Sequence, residues 1–283
     1  MTRIAHLTDL HLSHPDVRDA GLKTDTTETL RRAIVSINAM EPLPDLVVAS
    51  GDLTNTGAAS SYALLQEILA DLAPPVVLAL GNHDKRGPFA EVFETGTGEA
   101  PYLHEQIFGD LHVITLDTLV PGQIAGRIGP DQIAFLDSAL SREPALPKMV
   151  VAHHPPRMDD RTLPWASLDA DSSQLFGETI AGRGVIGVLS GHVHLDQVHH
   201  WHGVPVITCM HLNSTVDILE LRDMRPGSKA WWSKEKQLQM KKQKVCSIPA
   251  LKNSAGDWVR SSEGKANLFA DTFKDKYHLP GQY

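Results

Sequence analysis

Five groups of Asp, Asn and His each follow an apolar run in this sequence. Ile4–Thr8 leads into Asp9-Leu10-His11, Val47–Ser50 into Gly51-Asp52, and Val76–Leu80 into Gly81-Asn82-His83-Asp84. Further on, Met149–Ala152 leads into His153-His154, and Val185–Leu189 into Gly191-His192-Val193-His194. Singly these are weak signals, because a Gly-Asp after a strand is often only a turn and a lone His-x-His is more often an exposed or core pair. Recurrence at five strand ends changes the weighting. The donors are oxygen and imidazole nitrogen with no thiolate, a set that suits Fe, Mn, Zn or Co better than Ca or Cu(I). Two such ions about 3.5–4 Å apart need roughly seven protein ligands, one of them a bridging carboxylate.

The elements that must position these residues follow from periodicity. Arg3–Leu7 reads as a first strand, Asp25-Thr26-Thr27-Glu28 as a helix start with Leu30, Ala33, Ile34 and Ile37 on one face, and Ser60–Leu72 as a second helix. Strand, helix, strand, helix, strand argues for a parallel βαβ sheet with its chemistry at the C-terminal strand ends. Residues 85–101 read as a surface loop, Val113–Leu116 as a strand, Gly129-Pro130-Asp131 as the start of a helix, and Ser172 or Ser173 as the cap of a helix ending near Gly182. Gln197–Trp201, Val204–Thr208 and Val216–Leu221 alternate with turns as antiparallel strands do. The expected architecture is an α/β four-layer αββα sandwich, two mixed β-sheets packed face to face and flanked by helices.

Composition sets the limits. The 283 residues, 42% of them hydrophobic, suit a soluble globular chain of one large domain or one domain plus an appendage. No run approaches the roughly 20 apolar residues of a membrane span, and no signal-like segment precedes the first strand, so a cytoplasmic protein without membrane contact is expected. Residues 1–226 carry 3 Lys and 12 Arg against 19 Asp and 10 Glu, a net charge of −14, whereas residues 227–283 carry a net charge of +6. This places a boundary between a domain at 1–226 and a Lys-rich appendage at 227–283, poorly structured or helical, with Lys234–Lys244 as a candidate basic helix and Asn253–Asp257 as a turn. A net −14 without a basic stripe disfavours a polynucleotide substrate. Cys209 and Cys246 support neither a disulfide framework nor a thiolate zinc site.

Asp9-Leu10-His11, Gly51-Asp52, Gly81-Asn82-His83-Asp84, His153 and Gly191-His192-Val193-His194, in this order over roughly residues 1–220, resemble the five motifs of calcineurin-like metallophosphoesterases. The Gly-Asn-His-Asp-Lys-Arg block and His153-His154-Pro155-Pro156 are most similar to the branch of class III cyclic nucleotide phosphodiesterases and glycerophosphodiesterases. The resemblance implies a metal-dependent phosphoric diester hydrolase with two metal ions. Asp9, His11 and His194 would hold one ion, Asn82, His153 and His192 the other, and Asp52 would bridge them. A metal-bridging water would attack phosphorus, with His83 as general acid or charge stabiliser rather than ligand. The expected substrate is a small phosphodiester, a cyclic nucleotide such as 3',5'-cyclic AMP first, with a glycerophosphodiester or phosphomonoester as alternatives. A non-catalytic scaffold of the same fold is the reading from another class, disfavoured because every ligand position and His83 are present. The family commonly forms dimers, so a homodimer is among the implied assemblies.

Neighbouring residues divide between roles. His154 either touches substrate or covers the site, Asp84 is either a turn residue or a partner of the ligands, and Arg86, Arg157 and Arg161 border the phosphate or are simply solvated. His199, His200 and His202 are explained by alternation on an exposed strand at least as well as by a third metal, and Trp231-Trp232 by packing better than by base stacking. Residues 231–280, through Ile248–Val259, Gly264–Ala270 and Phe273, resemble the linker ahead of the reverse transcriptase in non-LTR retrotransposon polyproteins.

Overall fold

In the structure, a computed structural model, the described residues are 2–212 except 18, 20, 21, 23, 160 and 161, together with the backbone of 251–252 and 258–259. The chain divides into two compact units, Met1–Thr215 and Val216–Tyr283. In the second unit Leu251–Lys252 and Trp258–Val259 pair antiparallel. The expected strand at Val216–Leu221, the helix at Lys234–Lys244, the turn at Asn253–Asp257, Trp231-Trp232 and Cys246 all lie outside the described residues.

The first unit is built on two sheets. Strands β1 (Ile4–Leu7), β2 (Leu46–Ala49) and β3 (Val76–Leu78) form a parallel sheet in the order β1-β2-β3. The other sheet contains β4 (His104–Phe108), β5 (Leu111–Leu116), β6 (Lys148–Ala152), β7 (Val185–Ser190), β8 (Gln197–Trp201) and β9 (Val204–Thr208), in the order β4-β5-β6-β7-β9-β8. In it β5, β6, β7 and β9 run parallel, while β4 and β8 pair antiparallel at the two edges.

Side chains alternate across each strand and define three apolar layers. Leu46, Val48, Val77, Ala79, Leu111, Val113, Met149, Val151 and Leu189 fill the layer between the sheets. Helices α1 (Thr26–Asn38), α2 (Ala59–Leu69) and α3 (Arg86–Phe93) cover the three-stranded sheet through Leu30, Ile34, Leu65, Ile68 and Phe89. Helices α4 (Pro130–Ser141) and α5 (Ala170–Ile180) cover the other sheet through Leu136, Leu140, Phe176 and Ile180. The result is the expected four-layer αββα sandwich. No helix among the described residues is long and apolar enough to cross a membrane.

Local chemistry explains most boundaries. Asp25 caps α1 by accepting the Glu28 N–H at 3.0 Å, and Pro130 opens α4 where its missing N–H costs nothing. Two expectations are corrected. The supposed loop at 85–101 contains α3, because Phe89, Val92 and Phe93 form an apolar face that packs on the α2 cluster and Phe89 meets Tyr62 and Tyr102 edge-on. The cap of α5 is Asp169, not a serine; its carboxylate accepts the Ser172 N–H at 2.8 Å.

Leu46→Ala in the layer between the sheets should cost ~2–5 kcal/mol in urea unfolding, as large-to-small changes at buried sites do. Because Leu46 opens the strand whose other end leads to Asp52, the folded variant should retain its full complement of metal.

Candidate metal centre

All five sequence groups converge at the C-terminal ends of parallel strands. Asp9 and His11 follow β1, Asp52 follows β2, Asn82 and His83 follow β3, His153 and His154 follow β6, and His192 and His194 follow β7. Asp9, His11, Asp52, His192 and His194 all have left-handed backbones, with φ of 51°, 43°, 47°, 68° and 55°. Residues other than glycine rarely adopt this region, at ~1–3 kcal/mol each, and such strain persists where the surroundings over-determine it. Two glycines make room for the Asp52 and His153 side chains. A Cβ on Gly81 would strike the Asp52 carboxylate and the His153 ring, and one on Gly51, at φ 119°, would strike the His153 imidazole.

Asp9 divides its oxygens. Oδ2 accepts the Thr8 hydroxyl at 2.8 Å and the His192 N–H at 3.0 Å, while Oδ1 faces His194 Nε2 at 3.0 Å and His11 Nε2 at 3.8 Å. Asp52 does the same. Its Oδ1 accepts the His83 N–H at 2.8 Å, and its Oδ2 stands between His11 Nε2 at 3.8 Å and His153 Nε2 at 3.4 Å. Donors bound to one ion at about 2.1 Å lie about 3.0 Å apart in octahedral and 3.4 Å apart in tetrahedral geometry, close to these separations. Asp9-His11-His194, Asp9-Asp52-His153, His11-Asp52-His83 and His153-His154-His192 each bring their ligand atoms within 4.8 Å of one another.

Backbone carbonyls fix the ring tautomers. His153 donates Nδ1–H to Ser50 O at 3.0 Å, which aims Nε2 at Asp52. His192 donates Nε2–H to Trp165 O at 2.7 Å, which leaves Nδ1 bare. Among the described residues, the buried atoms Asp9 Oδ1, Asn82 Oδ1 and His153 Nε2 have no hydrogen-bond partner. An unmet buried polar atom costs ~1–3 kcal/mol, and these are the atom types that bind hard or borderline divalent cations. The residues present therefore fit a pair of such ions.

Electrostatics point the same way. Burial pushes the His11 pKa down to about 3 and that of His192 to about 4, so both are neutral donors at neutral pH. Burial opposes ionisation of Asp9, yet His194 holds its carboxyl well below the usual range. At His153 burial also opposes charge, but the adjacent Asp52 carboxylate lifts the imidazole to about 9.

The remaining expected residues take up fixed positions in the fold. His154 is fully buried; its Nε2–H donates to Ile124 O at 2.9 Å and its Nδ1 accepts from the Thr118 hydroxyl at 2.7 Å, so neither ring nitrogen is left for a metal or substrate. Arg86 forms a two-pronged pair with Asp117, at 2.6 and 3.1 Å, and also donates to Leu119 O. The Arg157 Nε donates to Asp159 O at 3.2 Å, and Arg161 lies outside the described residues. His199 and His200 sit on the exposed strand β8 and His202 in its hairpin turn; none belongs to the metal-capable groupings among the described residues.

Asp84 is a buried brace rather than a turn residue. Oδ2 accepts the Leu53 and Gly81 N–H groups at 3.0 and 2.9 Å, and Oδ1 accepts the Thr54 N–H and the Tyr62 hydroxyl at 3.0 and 2.9 Å. It thereby ties the Asp52 turn to the Asn82 turn. Burial and the nearby Asp52 raise its pKa to about 6. Sequence reading missed Asp117, Thr118 and Thr8 as supports of the site; a Thr directly before the Asp9 motif was the one signal available.

A family model described as calcineurin-like phosphoesterase matches residues 2–196. The chain belongs to the calcineurin-like phosphoesterases, a family of metal-dependent hydrolases. It is 34% identical to a probable cyclic nucleotide phosphodiesterase of Synechococcus, over 68% of this chain and 72% of the relative. To a probable glycerophosphodiester phosphodiesterase of Arcobacter nitrofigilis it is 25% identical, over 80% of this chain and 83% of the relative. A dimetal phosphatase from Danio rerio shares the fold with a TM-score of 0.59 at 15% identity, covering 75% of this chain and 88% of that one. The family match ends at residue 196, and nothing in these matches supports the retrotransposon-like reading of residues 231–280.

The His153–Asp52 pair gives metal-free protein a defined pH response. An imidazole with a pKa of about 9 when folded and about 6.5 when unfolded adds stability that is complete below about 6.5 and is lost as pH rises through about 9. Urea unfolding of chelator-treated protein should show this decline between pH 6.5 and 9, and His153→Gln should flatten it; the same slope in the variant would assign the decline to another group.

Proposed function

We propose that the chain is a binuclear metal-dependent phosphodiesterase of small esters, with a cyclic nucleotide such as 3',5'-cyclic AMP as its favoured substrate. The observation that carries this reading is Asp52 Oδ2, which stands within 3.8 Å of a His11 nitrogen on one side and 3.4 Å of a His153 nitrogen on the other. One ion would be held by Asp9, His11 and His194 and the other by Asn82, His153 and His192, with Asp52 shared. Such ions supply Lewis acidity toward phosphoryl oxygens and a water acidic enough to act as nucleophile near neutral pH.

His83 is the acid or charge stabiliser in this reading. Its Nδ1–H is anchored on Asn55 O at 2.9 Å and its ring stands 4.7 Å from that of His11. The anchored ring keeps Nε2 beside the ligand set, where it can hold a proton for the departing alkoxide. The Synechococcus relative's name supports the cyclic nucleotide, and the Arcobacter relative's name favours glycerophosphodiesters as the second reading.

Metal-reconstituted protein should cleave bis(p-nitrophenyl) phosphate faster than p-nitrophenyl phosphate, and should also turn over cyclic AMP. Asp52→Ala should abolish all turnover. His83→Ala should lower kcat by ~10²–10⁴-fold on esters with poor leaving groups and less on p-nitrophenyl esters. Faster monoester cleavage would reassign the substrate, and full turnover by His83→Ala on a poor leaving group would remove its acid role.

We also propose, from the charge change, a domain boundary at residue 226, with 227–283 as an appendage outside the catalytic unit; the compact units divide nearby, between Thr215 and Val216. Deleting 227–283 should leave two metals bound and a cooperative unfolding transition. A truncated protein that loses its metals and unfolds would make the tail integral to the fold.

A further inference from the structure

A row of four imidazoles runs along one side of the site. The rings of His83 and His11 stand 4.7 Å apart, those of His11 and His194 5.5 Å, and those of His194 and His211 4.7 Å. The inner two belong, with Asp9, to one metal-capable grouping. The outer two flank that grouping from the two ends of the row. His211 comes from the segment after β9, outside all five strand-end groups.

The fold pins the backbone around His211 from both sides. The Met210 N–H donates to Asp196 Oδ1 at 2.8 Å, in the turn between His194 and β8, and the Leu212 N–H donates to Thr8 O at 3.1 Å, one residue before Asp9. Leu212 also packs on the apolar cluster that covers the three-stranded sheet. The imidazole itself is not used up by these contacts. It is half-buried, and its buried nitrogen, Nδ1, has no hydrogen-bond partner among the described residues. With Nδ1 enclosed, Nε2 is the nitrogen left to meet a ligand, and no hydrogen bond among the described residues engages it.

His211 joins none of the metal-capable groupings among the described residues, so its part differs from that of His11 and His194. An imidazole beside a cation site that does not ligate the cation acts on what the cation binds. Phosphoryl oxygens only accept hydrogen bonds, so a ring nitrogen that meets one must donate. The leaving oxygen already has His83 at the other end of the row. We propose that His211 binds substrate by donating Nε2–H to a non-ester phosphoryl oxygen; the inference rests on the binuclear phosphoesterase reading and adds a substrate-contacting residue to that site.

Inorganic phosphate carries the same oxygens, so its binding to metal-loaded protein, read by calorimetry, is the test. His211→Ala should weaken phosphate binding by about ten-fold or more, as loss of one hydrogen bond to a charged acceptor does, with metal content and urea unfolding unchanged. His211→Gln, whose amide reaches to the position of Nε2, should restore most of the affinity. His211→Asn, which reaches only to the position of Nδ1, should not. Equal phosphate affinity in wild type and His211→Ala would overturn the proposal. So would loss of metal from His211→Ala, because the ring would then support the ligand set instead of touching substrate. Weakened phosphate binding in His211→Ala, where wild type fails to turn over cyclic AMP, would support the contact and count against the cyclic nucleotide reading instead.

Discussion

The structure depends on a carboxylate that should not be comfortable where it is. Asp52 is 2% exposed, and Asp9 and Asp84 beside it are 0% and 3% exposed. Burying an anion costs several kcal/mol unless it is paired or hydrogen-bonded. Asp84 meets this cost with backbone and hydroxyl donors, whereas Asp9 and Asp52 each satisfy one oxygen with a backbone N–H and turn the other toward imidazoles. Of those imidazoles, His11 is pushed toward the neutral form by burial, so that His153, lifted by Asp52, supplies positive charge at one corner only. The arrangement is an anionic, donor-rich pocket that divalent cations would stabilise on both counts.

The scaffold holds this arrangement by making the turns that carry the candidate ligands short and the strands beneath them dry. Left-handed backbones at five candidate ligand residues are tolerable because each follows closely on a strand whose side chains are locked in the layers on either side. Two carboxylate braces extend the rigidity sideways. Asp84 joins the turns after β2 and β3, and Asp117, through Arg86 and the Tyr102 N–H, ties α3 and the approach to β4 to the end of β5. A ligand set held this way needs little reorganisation when charge develops, which is the condition for electrostatic catalysis.

Much of this was legible in the sequence because strand-end ligands are local events. An apolar run followed by Asp, Asn or His declares both the element and its functional terminus, and the β8–β9 hairpin showed itself by alternation. Pairings over distance were not legible. Asp84 resembles a turn residue until its donors at Leu53, Thr54 and Tyr62 fold against it, 31, 30 and 22 residues away. His154 could equally touch substrate or cover the site until Thr118 and Ile124 occupy its nitrogens. Helix α3 was hidden because a Gly and a Pro in its first turn read as loop, while the contacts of Phe89 that stabilise it come from Tyr62 and Tyr102.

The charge balance bears on what the site can accept. With a net −14 over residues 1–226 the domain repels a phosphodiester at long range, and a basic neighbour, Arg86, is committed to Asp117. Attraction for a phosphoester would then come at short range, from the cations that the candidate ligand set fits. A long polyphosphate chain would gain only one favourable phosphate position against an unfavourable field along the rest of its length. A compact ester with a single phosphate loses little to that field and gains the whole of the local attraction.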